Sequence, residues 1–345
     1  MSEIAAAITL PHARGEMRAA TLIGLLSLLV VILFCLSLVI GRGTVTGGLG
    51  DLISLWHRDP ETARIILTQV RLPRTLLALL VGASLGLSGA VLQGLLRNPL
   101  AEPALLGASS SAALGAVAVF YFGAAGTSYW LPFGGMMGTL VATGLLLYLG
   151  GRTQETMTLV LAGVAINALT SAATSLALNF APSPYAALEI VFWILGSFAD
   201  RSLDHVVIAA PLMVIGWIML LPTGRALEAI TLGEDTAETL GFSLKRVRLQ
   251  AIVGTAFCVG AAVAVTGVVS FVGLIVPHLL RPLVGYRPGR LLVPCMLGGA
   301  ALMLGADIGV RVISTSLELK VGVLTALIGA PFFLHLLSVM RRSRP

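Results

Sequence analysis

Charged residues are scarce in this chain of 345 amino acids. Only 11% of the residues are Asp, Glu, Lys or Arg, whereas 57% are hydrophobic. A soluble domain carries about 25% charged residues, so this composition excludes a soluble globular protein and indicates an integral membrane protein. Aromatic residues are also few at 6%, while glycines number 39. Because small residues let helices approach closely in lipid, we predict one all-α, tightly packed polytopic membrane domain over 1–345.

The chain also lacks the motifs of an enzyme or of a metal site. Its three cysteines have no CxxC spacing, and we interpret them as packing residues. The five histidines are solitary, so we expect no protein-bound metal. Neither of the two lysines, Lys245 and Lys320, follows a glycine as a Walker A lysine does. We therefore predict no catalytic residue and no covalently bound cofactor. If the function of this protein uses ATP, another chain must hydrolyse it.

Long apolar runs are present, and ten of them are candidate membrane spans. They cover roughly 20–40, 72–95, 104–123, 131–150, 157–180, 205–222, 247–267, 270–286, 291–312 and 321–340. Ten spans place both termini on one side of the membrane. Of the 22 Lys and Arg residues, 14 fall on that side, and the positive-inside rule makes it the cytoplasm. The net charge of +6 therefore reflects basic loops and does not indicate nucleic-acid binding.

Residues 189–200, EIVFWILGSFAD, are apolar but too short to cross a bilayer. We predict a short helix that lies at the periplasmic interface of the membrane. Phe192 and Trp193 are placed as its interfacial anchors.

The segment 232–248, LGEDTAETLGFSLKRVR, is polar between two membrane-length runs. Ala237, Leu240 and Leu244 recur with helical spacing, and Gly241 is placed as a helix stop. We predict an amphipathic helix of about three turns on the cytoplasmic face. Such a helix either docks a partner or merely links two spans as a solvated loop.

Two further stretches have both a plain and a functional interpretation. RLPR (71–74) puts Arg71 and Arg74 three residues apart at a predicted helix start on the outer face. Their side chains either snorkel to lipid headgroups or bind an acidic patch on a partner protein outside the membrane. NPLAEP (98–103) lies at the cytoplasmic exit of the second span and is either a helix break or a constriction.

Ionisable residues are nearly absent from the middle of the spans. The clearest exception is Asp307 with Arg311, an i, i+4 pair near the outer end of a helix. Proton- or sodium-driven carriers usually keep acids or broken helices near the midplane. This scarcity argues against a secondary transporter, which stays open as a remote alternative.

Seven motifs together resemble the FecCD family, the permease subunits of type II ABC importers, which includes cobalamin, haem and ferric-siderophore permeases. They follow the family's order along nearly the whole chain. The motifs are RLPR (71–74), SGAVLQGLLRNPLAEPALLG (88–107), LVLAGVAIN (159–167), LGEDTAETLG (232–241), GVVSFVGLIVPHLLR (267–281), GADIGVR (305–311) and VGVLTALIGAPFFLHLL (321–337).

This resemblance implies ten helices per subunit, a homodimer, two cytoplasmic ATPase subunits that use the ATP, and one periplasmic binding protein at the inner membrane. It assigns ATPase coupling to a helix within 232–248, namely to Gly233, Glu234, Asp235, Ala237, Glu238, Leu240 and Gly241. It assigns docking of the binding protein to Arg71, Arg74 and Arg311. It places the cytoplasmic gate at Asn98 and Thr156.

One residue departs from the family pattern, and the cargo is left open. Lys320 stands where the family usually has Pro in an E-L-P-V-G motif, which leaves the local turn undecided. Our main hypothesis is the import of an iron chelate, either haem or a ferric siderophore. The alternative within the family is cobalamin or another corrinoid.

Overall fold

The computed structural model describes residues 19–41, 48–121, 130–150, 156–181, 183–313 and 319–342. Every regular element in these ranges is helical, as the all-α prediction requires. Fifteen α-helices are described, numbered here in chain order. They are α1 (Ala19–Val39), α2 (Leu49–Arg58), α3 (Pro60–Ile65), α4 (Leu72–Leu95), α5 (Ala108–Tyr121), α6 (Trp130–Leu149), α7 (Thr156–Asn179), α8 (Pro184–Ile194), α9 (Leu203–Leu220), α10 (Gly224–Thr231), α11 (Glu234–Thr239), α12 (Leu244–Thr266), α13 (Val272–Leu280), α14 (Pro288–Ile313) and α15 (Val321–Arg342).

The ten predicted spans each contain a helix. Seven helical stretches in the described ranges are long and apolar enough to cross a membrane: α1, the continuous run Pro60–Leu95, α6, α7, α9 with α10, α12 and α14. The shorter apolar helices α5, α13 and α15 account for the remaining three. The helix count is therefore roughly consistent with the ten spans expected from hydropathy.

Helix α4 lies at the centre of the bundle, and most of its side chains are buried. It packs against α14, α12, α13 and α9. Glycines allow the closest contacts: a Cβ on Gly82 would lie 2.3 Å from the carbonyl oxygen of Gly299, and one on Gly89 would lie 2.0 Å from that of Gly273. The predicted close packing of small residues is thus confirmed at the core of the bundle.

Two predicted helix starts were wrong. The RLPR motif does not begin a helix, because helical structure already starts at Pro60 and passes through a π-helical turn, Ile66–Arg71, into α4. The interfacial helix begins at Pro184 instead of residue 189, since the Ser183 hydroxyl caps the backbone N–H of Ala186.

The interfacial helix also ends earlier than predicted, at Ile194. Beyond it, Gly196 adopts a φ of +75°, and the backbone N–H of Ser197 donates to the carbonyl of Thr266. Phe192 is exposed as predicted for an anchor, but Trp193 is buried and packs edge-to-face on Phe120. The assignment of Trp193 as an interfacial anchor was therefore wrong.

Lys320, which replaces the family's proline, directly precedes α15. Its carbonyl oxygen accepts hydrogen bonds from the N–H groups of Val323 and Leu324. The next glycine, Gly322, donates to the carbonyl of Gly196. The helix start at this position is therefore formed without the proline.

Candidate functional site

The predicted sites lie at opposite ends of α4. Arg71 and Arg74 flank its first residues, whereas Gly94 near its last residue packs against Leu227 of α10, which leads into α11. A helix rises about 1.5 Å per residue, so the 24 residues of α4 separate the two ends by about 36 Å. We call them the arginine end and the coupling end.

Segment 232–248 forms two helices instead of the single three-turn helix that we predicted. Helix α11 has only six residues, and α12 begins at Leu244. The chain breaks at Gly241, with φ +89°. There the N–H of Gly241 donates to the carbonyl of Glu238, and the N–H of Phe242 to that of Ala237. This is a Schellman-type helix end, and it confirms Gly241 as the helix stop.

The residues of α11 divide into an anchoring set and an exposed set. Ala237 is fully buried against the bundle, and Glu234 accepts a hydrogen bond from Arg248 of α12 at 2.7 Å. Asp235, Glu238, Leu240 and Gly241 are exposed. Leu240 is 59% exposed, so the expected apolar stripe through Leu240 was wrong at that position. Gly233, with φ +117°, precedes the helix. The result is a short acidic helix with an exposed leucine at its end.

Of the three arginines assigned to docking, Arg74 and Arg311 bind the carboxylate of Asp307, whereas Arg71 and Arg311 bind the end of α1. Asp307 pairs with Arg74 at 2.8 Å and with Arg311 of the same helix. Arg311 also donates to the carbonyls of Ser37 and Ile40, at 2.7 and 2.8 Å. We call Arg71, Arg74, Asp307 and Arg311 the basic cluster. The i, i+4 pair expected from the sequence is confirmed.

Arg71 completes this arrangement by donating to the carbonyls of Leu38 and Val39. The last carbonyls of a helix have no partner within it, and here two arginines supply the donors. Arg71 and Arg311 are only 3% and 5% exposed, while the Arg74 side chain is 13% exposed. Arg74 lines an outer cleft of about 440 Å³ with Gln69, Val70 and the residues 198–202. The sequence pattern did not reveal that Asp307 is the partner of Arg74.

The NPLAEP stretch forms a compact turn at the coupling end. The side-chain oxygen of Asn98 accepts a hydrogen bond of 2.9 Å from the backbone N–H of Leu100, and the backbone N–H of Asn98 donates to the carbonyl of Gln93. Asn98 is exposed. The other proposed gate residue, Thr156, begins α7, but its side chain lies outside the described part of the chain. The gate pair therefore stays a prediction.

Glu102 ties this turn to α13. Its carboxylate accepts a hydrogen bond of 2.6 Å from the N–H of Phe271, the residue before that helix. Burial raises the pKa of the Glu102 carboxyl, against the lowering effect of this hydrogen bond. Sequence inspection missed this link, because 169 residues separate its two ends.

No group of three or more His, Cys, Asp or Glu side chains that could hold a metal ion occurs within the described ranges. The polar residues described above make contacts between helices and present an exposed surface at each end of the bundle.

Comparison with known proteins shows the family to which the chain belongs. The sequence profile of the FecCD transport family matches residues 28–339. The chain is similar to the vitamin B12 import system permease protein BtuC of Klebsiella pneumoniae, with 38% identity that covers 96% of this chain and 97% of the relative. It is also similar to the vitamin B12 import permease BtuC of Salmonella typhimurium, with 39% identity over 90% of this chain and 93% of the relative.

Solved structures show the same fold. An inward-facing conformation of a metal-chelate type ABC transporter superposes with a TM-score of 0.81 at 34% identity, covering 93% of this chain and 99% of that one. PsaBC from Streptococcus pneumoniae superposes with a TM-score of 0.51 at 18% identity, which supports the fold alone. The chain is a multi-pass membrane permease that belongs to the FecCD transport family.

Proposed function

We propose that this chain is the permease subunit of an ATP-driven importer that carries cobalamin or a related corrinoid across the inner membrane. The observation that supports this cargo most directly is the similarity, over 96% of the chain, to a permease named for vitamin B12 import. These relatives favour the corrinoid hypothesis over the iron-chelate hypothesis with which the sequence analysis began.

An iron chelate remains the second candidate cargo, because one similar structure is described as a metal-chelate type transporter. Haem, ferric siderophores and cobalamin are all bulky metal chelates. In this proposal the permease need not bind any of them tightly, since the binding protein selects the cargo.

We further propose that the cytoplasmic partner is a pair of separate ATPase subunits, each docked on one copy of α11. The exposed Asp235, Glu238 and Leu240 offer mixed acidic and apolar contacts, while buried Ala237 and the Glu234–Arg248 pair hold the helix to the bundle. Movement of the ATPase would thereby be transmitted into α12. We also propose that the start of α1 and the end of α15 lie in the cytoplasm, as the positive-inside rule predicts.

A homodimer is supported by a polar stripe on α7, which is long enough to span the membrane. Asn167, Ser171, Ser175 and Asn179 follow one another at intervals of four residues and are all exposed. Polar side chains in a membrane span usually face other protein or a water-filled cavity. We place a second copy, and the cargo path between the copies, along this stripe.

At the arginine end, we propose that the periplasmic binding protein docks over the outer cleft and meets Arg74 first. Arg71 and Arg311 support that surface from below, because both are buried and hold the end of α1. Replacing Arg74 by Gln should slow association with the binding protein, with a smaller effect at high salt. An unchanged association rate at low salt would refute the docking role.

The function is tested by reconstituting the permease with its ATPase and binding protein in proteoliposomes. Labelled cobalamin, ferric siderophore and haem are offered in separate assays, with ATP or without it. ATP-dependent accumulation of cobalamin alone supports the proposal, and accumulation of an iron chelate instead selects the second candidate. Uptake that needs neither ATP nor the ATPase would favour the remote alternative, a secondary transporter.

A further inference from the structure

A polar cavity lies at the coupling end, where Thr231, the last residue of α10, forms part of its wall. Its volume is about 300 Å³. It is enclosed by the end of α4 and the turn that follows it, by the 3₁₀ turn Arg281–Val284, and by the start of α14. Its polar lining residues are Gln93, Arg97, Asn98, Thr231, Arg281 and Tyr286. We call it the inner cavity.

The inner cavity has an excess of positive charge. Both Arg97 and Arg281 line it, and no carboxylate is found among its described lining residues. Neither arginine has a carboxylate within ion-pair distance in the described part of the chain, whereas Arg74, Arg248 and Arg311 all do. Both side chains are cationic, so an anion in the cavity would be attracted to each of them.

A neutral side chain holds Arg281 in place without neutralising it. Arg281 donates to the side-chain oxygen of Gln93, and the side-chain amide of Gln93 donates in turn to the carbonyl of Gly273 at 3.2 Å. Gln93 is only 2% exposed, so its amide is fixed between α4 and α13. The guanidinium is thereby oriented in advance and keeps further N–H groups for a ligand.

The remaining lining groups also suit an anion. Thr231, Tyr286 and the Asn98 amide can each donate a hydrogen bond.

We propose that the inner cavity binds a phosphate group, held by Arg97 and Arg281. Planar guanidinium groups bind phosphate oxygens in bidentate fashion. The phosphate would come either from the headgroup of an anionic phospholipid or from a soluble phosphate compound. Because Asn98 and Thr231 line the same cavity, the bound anion would connect the NPLAEP turn to the residues that lead into α11.

The experiment measures binding without cargo, ATPase or ATP, so its failure would leave the proposed function intact. The full-length chain is placed in phosphatidylcholine nanodiscs, and its thermal unfolding midpoint is recorded. In one arm the bilayer also contains phosphatidylglycerol; in the other, inorganic phosphate is titrated at constant ionic strength. Binding to the folded state raises the midpoint.

Three variants make the measurement specific. Arg97→Gln and Arg97→Lys test an exposed side chain that has no described partner whose loss would unfold the protein. Arg290→Gln is the matched control, since Arg290 is exposed at the same end but does not line the cavity. Loss of one charged contact should weaken the apparent affinity about tenfold.

The proposal is supported if phosphatidylglycerol or phosphate stabilises the native chain, if Arg97→Gln loses most of that shift, and if Arg97→Lys and Arg290→Gln retain it. The arm that shows the shift identifies the source of the phosphate. Equal losses for Arg97→Gln and Arg290→Gln would show a diffuse surface-charge effect and overturn the proposal. An absence of any shift in both arms would overturn it as well.

Discussion

Arg248, in the first turns of α12, donates a hydrogen bond of 2.7 Å to the carboxylate of Glu234 at the start of α11. The Arg248 side chain is 10% exposed and that of Glu234 is 35% exposed. This ion pair links α11 to α12 of the bundle. A force on α11 is therefore transmitted directly to α12, which is long enough to span the membrane.

Breaking this pair should uncouple α11 from α12. We expect Arg248→Gln to lower the free energy of unfolding by about 1 kcal/mol, as for a partly exposed ion pair. The fractional loss of stimulated ATPase activity should be larger than the fractional loss of folded protein. Stimulated ATPase activity in proteoliposomes is the measurement. Arg246→Gln is the control, since Arg246 is exposed nearby; an equal effect of both variants would contradict the role of the pair.

The backbone at Gly241 offers a test that is free of side-chain contacts. A Cβ there would meet no atom within 4 Å, yet φ is +89°. Gly241→Val should cost about 1–2 kcal/mol of backbone strain and lower stimulated ATPase activity while membrane insertion persists. Gly241→Asn should be tolerated better, because Asn adopts left-handed conformations more readily. Normal stimulation in the valine variant would refute this prediction.

Asp307 should be the residue whose loss most damages the arginine end. It is fully buried and pairs with two arginines. Asp307→Asn leaves both guanidiniums without their carboxylate, and breaking a buried ion pair costs about 3–5 kcal/mol. We expect a clearly lower thermal midpoint in detergent. The exposed Asp204 provides the control variant Asp204→Asn, and similar midpoints for the two variants would contradict the assigned role.

The glycine contact between α4 and α14 predicts opposite effects for the same substitution at two sites. A Cβ at Gly82 would lie 2.3 Å from the carbonyl oxygen of Gly299, whereas one at Gly24 would meet nothing within 4 Å. Gly82→Ala should force the helices apart and lower both the thermal midpoint and the yield of folded protein. Gly24→Ala should be neutral or stabilising by up to about 1 kcal/mol. A harmless Gly82→Ala would show that the contact is not essential.

The buried carboxyl of Glu102 predicts a pH dependence. Its pKa in the folded chain is raised from 4.5, so the folded state favours the protonated form. The contribution of this carboxyl to the free energy of unfolding is therefore fully present at pH values below 4.5, and it is lost as the pH rises from there through the higher pKa of the folded state. Glu102→Gln stays neutral, and its side-chain oxygen can still accept from Phe271. The thermal unfolding midpoint of this variant, relative to that of the native chain, should therefore rise between acidic and neutral pH. Parallel pH profiles of the two midpoints would disprove this.

Much of the architecture was predictable because the bilayer imposes it on the sequence. Apolar runs predicted ten spans, each of which contains a helix in the structure, and the glycine content predicted close helix packing. The short segment at 232–248 was recognisable because a polar stretch between two apolar runs must face water. The helix stop at Gly241 and the i, i+4 pair of Asp307 with Arg311 were visible as local patterns.

What the sequence did not determine by itself are the contacts between residues far apart in the chain. Arg74 and Asp307 are 233 residues apart, and Gln93 and Arg281 are 188 apart, so no local spacing relates them. Some predicted helix ends were wrong for a similar reason. The cap at Ser183, the hydrogen bonds beyond Gly196 and the π-helical turn before α4 determine where these helices begin and end, and the length of an apolar run does not show them. Hydrophobicity determined which segments enter the membrane, and only packing of the helices decided which buried charges meet and which arginines share a cavity without a counter-ion.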